Sequence, residues 1–101
     1  MHQVPLFING QMQPSATSNY IDVTDPANNQ VIAQVPCATD KEIEDAVNSA
    51  QKAFESWKDV PVTQRARVMM RYQALLKEYQ RDIAEILAKE TGKTFDDAMG
   101  D

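Results

Sequence analysis

The sequence carries one cysteine and one histidine in 101 residues. A single thiol, Cys37, excludes a disulfide framework within the chain, and a cytoplasmic setting fits that. His2 lies 35 positions away at the N-terminus, so the two do not read as a designed Cys–His nucleophile pair. A metal site needs a cluster of His, Cys, Asp and Glu ligands, which this inventory does not supply. No basic stripe is present: ten Lys and Arg stand against fifteen Asp and Glu, for a net charge of −5. That balance argues against a nucleic-acid partner and reads as solubility. No stretch reaches the roughly 18 apolar residues of a membrane span, and the N-terminus lacks the charged n-region of a signal peptide. Only three glycines occur, none in a GxGxxG pattern, so the dinucleotide fingerprint is missing and long regular elements are expected.

What is present is an ordinary globular composition, 43% hydrophobic and 25% charged. The length allows one domain at most. Such a domain would bury roughly 60–70% of the surface of its unfolded chain, which makes a modest core.

Strands are expected over about 5–36. Leu6-Phe7-Ile8 is followed by Asn9-Gly10, which supplies the positive φ angles of a tight hairpin turn, and Gln11-Met12 begins the return. Pro14 to Asn19 is a polar loop. Tyr20 to Val23 is a strand candidate, Asp25-Pro26-Ala27-Asn28-Asn29 a turn cluster, and Val31 to Val35 a further strand ended by Pro36. These β segments form an N-terminal β-hairpin and meander, followed by amphipathic helices.

The hydrophobic period then changes. Thr39-Asp40-Lys41-Glu42 is a capping box, opening a helix over about 40–58. Its apolar stripe runs through Ile43, Ala46, Val47, Ala50, Ala53, Phe54 and Trp57, with Glu42, Glu44, Asp45 and Glu55 mostly on the solvated side. A second helix is expected over 63–91, with Thr63 as its N-cap. It carries Ala66, Met69, Met70, Leu75, Leu76 and Tyr79, then, past the polar Gln80-Arg81-Asp82, Ile83, Ile86 and Leu87. Gly92 fits the left-handed position after a helix, and Thr94 caps a further helix from 95. The fold class is α+β. The face begun by Phe95, Ala98 and Met99 does not complete, and the apolar stripes exceed what these elements can cover, so the chain is expected to be a truncated one.

Four sets of residues could suggest chemistry. Cys37 precedes a helix N-terminus, which can lower a thiol pKa, but cysteine is so often buried that a small, half-buried strand-end residue is the favoured reading. Thr91-Gly92-Lys93-Thr94 contains the GKT of a phosphate loop, yet the required earlier glycine is Leu87, inside a helix. Asp96 and Asp97 are adjacent and diverge on a helix, where they suit its positive end. Tyr72 and Tyr79, seven apart, share a face that suits packing.

The order of these segments is more specific than any one of them. Leu6-Phe7-Ile8-Asn9-Gly10, Asp25-Pro26-Ala27-Asn28-Asn29 before Val31-Ile32, Val35-Pro36 before Ala38-Thr39, the Ala-rich helix to Trp57, Arg71-Tyr72-Gln73, and Gly92-Lys93-Thr94 running to Asp101 together resemble the N-terminus of the aldehyde dehydrogenase superfamily. Within it the resemblance is nearest to the CoA-acylating methylmalonate-semialdehyde dehydrogenase branch, and it extends from about Val4 to Asp101. The resemblance implies a segment of an α/β NAD-binding domain, with the rest of the parent subunit as partner and a homo-oligomer as the assembly. It implies NAD and CoA as cofactors of the full-length parent, with none for this fragment. The implied reaction is thiolate attack on an aldehyde, hydride transfer to NAD and passage of the thioester to CoA, giving propionyl-CoA from methylmalonate semialdehyde with loss of carbon dioxide. The family's nucleophilic cysteine, general-base glutamate, oxyanion asparagine and nucleotide-binding turns have no counterpart here, and Cys37 matches a non-catalytic position. No residue of this chain is therefore assigned a catalytic, cofactor-binding or metal-ligating role. The alternatives are a self-associating helical interaction module and a small enzyme using Cys37.

Overall fold

The structure is a computed structural model that describes residues 2–101. Its elements run β1 (Leu6–Ile8), β2 (Gln11–Gln13), β3 (Tyr20–Asp25), β4 (Gln30–Pro36), α1 (Asp40–Trp57), α2 (Val62–Glu78), α3 (Gln80–Thr91) and α4 (Phe95–Gly100). This α+β order agrees with the sequence, the expected hairpin at Asn9-Gly10 included. The contacts gather into two compact units.

The first unit holds residues 2–23 and 31–59. β1 and β2 form an antiparallel ribbon with Leu6 opposite Gln13, Phe7 opposite Met12 and Ile8 opposite Gln11. Asn9 at φ +54° and Gly10 at φ +74° make the two-residue turn, both in the left-handed region that such a turn demands. β3 and β4 pair as a second two-stranded sheet. The segment before β1 runs parallel along β4: Val4 N–H donates to the Gln34 carbonyl (2.9 Å), and Gln34 N–H donates to that of His2 (2.8 Å).

The capping box of α1 forms as the sequence predicts. Glu42 N–H donates to Thr39 Oγ1 at 3.2 Å, and Thr39 N–H donates to Glu42 Oε1 at 2.8 Å. The Glu42 carboxylate also accepts from Ser15 Oγ (2.7 Å) and from Ala16 N–H (2.8 Å), so one side chain ties the loop after β2 to the start of the helix. α1 packs against β1.

The second unit holds Thr24–Gln30 and Val60–Asp101. Asp25 organises the turn between β3 and β4: its carboxylate accepts from Ala27 N–H (2.9 Å) and its carbonyl from Asn29 N–H (2.7 Å). The helix expected over 63–91 is two helices. Tyr79, at φ −99° and ψ +15°, leaves helical geometry between α2 and α3 while its own carbonyl still accepts from Ile83 N–H. That bridge conformation is open to ordinary residues, so no glycine or proline announces the break. Thr63 does not cap α2. Pro61 is the N-cap and its carbonyl accepts from Gln64 and Arg65 N–H, so the helix has started by the time Thr63 is reached. Gly92 closes α3 at φ +76°, with its N–H on the Ala88 carbonyl. Thr94 Oγ1 accepts from Asp97 N–H at 3.3 Å and caps α4, which packs on α3. The core of this unit is small: Ala84 (1% exposed) and Ala98 (5%) are the buried apolar residues among those described.

Candidate functional site

Cys37 is exposed, which corrects the half-buried reading: its backbone N–H is held by the Asn19 carbonyl (2.9 Å), and its side chain remains accessible. Nothing covers it because it follows the last strand residue and precedes the capping box. Among the described residues, no hydrogen bond joins Cys37 to His2, and no three His, Cys, Asp or Glu side chains converge as a metal site would need.

The groups that mimic a phosphate loop are taken up in the junction between α3 and α4. Gly92 is the C-cap of α3, Thr94 the N-cap of α4, and the Lys93 ammonium pairs with the Asp101 carboxylate. Leu87 is within α3, and its carbonyl accepts from Thr91 Oγ1 at 2.7 Å. Asp96 and Asp97 are exposed in the first turn of α4. These residues do not fit a nucleotide pyrophosphate, since the glycine-rich cradle is replaced by a helix.

The most heavily engaged titratable group is Glu42. The Ser15 hydroxyl, followed by the backbone N–H groups of Thr39 and Ala16, lowers its pKa from 4.5 to about 2. Its donors are all neutral parts of the fold, and its role is to fasten a loop. Sequence reasoning found the Thr39 partner and missed Ser15 and Ala16. Lys41 is raised by its hydrogen bond to Asp45 and then by that carboxylate's charge, an exposed i,i+4 pair.

What the chain displays most prominently is apolar surface. On α1, Ile43, Val47, Phe54 and Trp57 are exposed, Phe54 at 55%. On α2, α3 and Tyr79 between them, Met69, Met70, Tyr72, Leu75, Leu76, Tyr79, Ile83 and Ile86 are exposed, Leu75 at 52%. Stripes at helical spacing normally face a core. Within the second unit an open apolar groove of about 330 Å³ lies among Leu76, Gln80, Ile83, Leu87, Ala98 and Met99. Arg65 Nε is buried and has no hydrogen-bond partner among the described residues. No helix among the described residues is long and apolar enough to cross a membrane.

The aldehyde dehydrogenase family pattern matches residues 12–101. The human methylmalonate-semialdehyde/malonate-semialdehyde dehydrogenase [acylating], mitochondrial, is 44% identical over 98 residues, covering 97% of this chain and 18% of its own length. A structure from Sinorhizobium meliloti 1021, described as a methylmalonate-semialdehyde dehydrogenase complexed with NAD, superposes with a TM-score of 0.94 at 34% identity, over 99% of this chain and 20% of that one. The methylmalonate-semialdehyde dehydrogenase of Oceanimonas doudoroffii gives 0.93 at 35% identity, again over 99% and 20%. The chain thus spans about a fifth of the length of the proteins it matches. It belongs to the aldehyde dehydrogenase family.

Proposed function

We propose that this chain is the opening segment of an NAD-dependent, CoA-acylating aldehyde dehydrogenase that converts methylmalonate semialdehyde to propionyl-CoA, and that the segment serves as scaffold and carries no catalytic residue. The observation behind this is the uncovered apolar surface of α1, α2 and α3 on a chain with a fifth of its relatives' length. Fully burying a large apolar side chain contributes roughly 1.5–3 kcal/mol, so faces of this size favour docking strongly. The remainder of the parent subunit is the partner, within a homo-oligomer, and NAD and CoA belong to that complete protein. The structure named for its NAD complex supports the first cofactor, and the acylating name of the human relative supports the second. The residues present fit neither cofactor, so no step through them is assigned here. A cytoplasmic location rests on the lone thiol, and the mitochondrial name of the human relative points to the competing compartment. Fluorescence imaging of the tagged parent decides between them.

The assay is direct. The purified chain, given the semialdehyde, NAD and CoA, is expected to form no NADH. NADH formation that disappears in Cys37→Ala would replace the scaffold reading with the small-enzyme one. The same exposed faces favour a second reading, self-association of the isolated chain. Light scattering after size exclusion tests it: a dimer or larger species supports the reading, and a strictly monomeric, cooperatively folded chain removes it.

A further inference from the structure

We propose that Asn9 is a site of spontaneous deamidation, which makes the turn between β1 and β2 a slow chemical clock. In this reaction the backbone nitrogen of the following residue attacks the asparagine Cγ. A nitrogen–Cγ bond forms, the Cγ–Nδ2 bond breaks, and ammonia leaves with the backbone proton. Water then adds to either carbonyl of the resulting five-membered imide and opens it to aspartate or isoaspartate. No electron is gained or lost, and water is the only co-reactant.

Three features favour the reaction at this position. The residue after Asn9 is Gly10, which offers no side chain to obstruct the approach, and a Cβ built there would meet nothing within 4 Å. Both residues are exposed, so water reaches the imide. Gly10 N–H makes no hydrogen bond among the described residues, so the attacking nitrogen is not held elsewhere. The turn must open for the nitrogen to face Cγ. It is held by three residue pairs. Phe7 and Met12 are each 69% exposed, while Leu6 and Ile8 are half-buried on the strand that packs against α1, and a two-stranded ribbon is only marginally stable, so its turn end opens at modest cost.

The other asparagines lack this combination. After Asn28, the Asn29 N–H is bound to the Asp25 carbonyl at 2.7 Å. After Asn29, the Gln30 N–H is bound to Asn28 Oδ1 at 2.9 Å. Asn48 is followed by Ser49 within the hydrogen-bonded ladder of α1, and Asn19 by the bulky Tyr20 at the start of β3. The product matters to the fold. Isoaspartate routes the main chain through Cβ and lengthens a two-residue turn, so Ile8 and Gln11 lose their register. Aspartate keeps the register and adds a carboxylate to the shallow surface depression that Asn9 and Lys52 both line.

The test is a time course of the whole chain in mildly alkaline buffer, followed by peptide mapping with mass and charge readouts, beside the variant Asn9→Gly. Glycine keeps the left-handed turn and removes the amide. The expected result is loss of ammonia at residue 9 several-fold faster than at Asn19, Asn28, Asn29 or Asn48, with both aspartate and isoaspartate products, and none from that peptide in Asn9→Gly. The proposal is overturned if another asparagine converts as fast. It is also overturned if Asn9 stays intact over a period in which the urea-unfolded chain converts it.

Discussion

A Cβ added to Gly92 would lie 2.9 Å from Cγ of Pro26, so the turn between β3 and β4 rests directly on the residue that ends α3. Gly92 is constrained twice, by this approach and by its φ of +76°. A non-glycine residue in the left-handed region costs on the order of 1–3 kcal/mol before any clash is counted. Gly92→Ala is therefore expected to destabilise the chain by at least that much, measured by urea unfolding. Pro26→Ala in the same background should recover the steric part and leave the conformational part, giving a non-zero coupling in a double-mutant cycle.

Glu42 gives the chain an acid-sensitive fastening. Its folded pKa, about 2, lies below its ordinary 4.5 because the Ser15 hydroxyl and the N–H groups of Thr39 and Ala16 favour the charged form. A group with a depressed folded pKa binds fewer protons folded than unfolded between the two values. Its stabilisation is thus complete above about pH 4.5 and is lost as pH falls through about 2. An NMR titration of the Glu42 side chain should show this low midpoint. In Ser15→Ala the midpoint should rise toward the ordinary value, and an unchanged midpoint would contradict the assignment.

The side chain of Gln80 donates to the Met99 carbonyl at 2.7 Å, tying the start of α3 to the end of α4. An exposed hydrogen bond of this kind contributes about 0.5–1.5 kcal/mol. Gln80→Ala should leave α2 intact and speed amide exchange in α4, most visibly at Ala98 and Asp101, whose N–H groups bond within that short helix.

How much was legible in the sequence follows from the range of each interaction. The capping box at Thr39 and Glu42 could be read because both partners lie within four residues, and the turn at Asn9-Gly10 because its φ angles select residue types. Ser15 and Ala16 contact Glu42 across 27 and 26 positions, and no periodicity encodes that. The contact of Pro26 with Gly92 is equally non-local, although Gly92 itself was recognisable as a helix terminus. The break at Tyr79 left no mark because an ordinary residue tolerates its conformation, and the helical spacing of Leu75, Leu76, Ile83 and Ile86 continues across it. Cys37 was misread because its expected burial came from what cysteines usually do, while the structure places nothing over it. The family was legible in segment order, and the comparisons bear it out.

The central claim is that this segment contributes surface and position to a larger enzyme but no reacting group. Reconstitution tests it most directly: NADH formation is followed for an acylating relative that lacks the residues matched here, with and without this chain co-expressed. The account predicts that activity returns only with the chain, and returns equally with its Cys37→Ala form. Activity that never returns, or that returns with the natural chain and fails with Cys37→Ala, would contradict it.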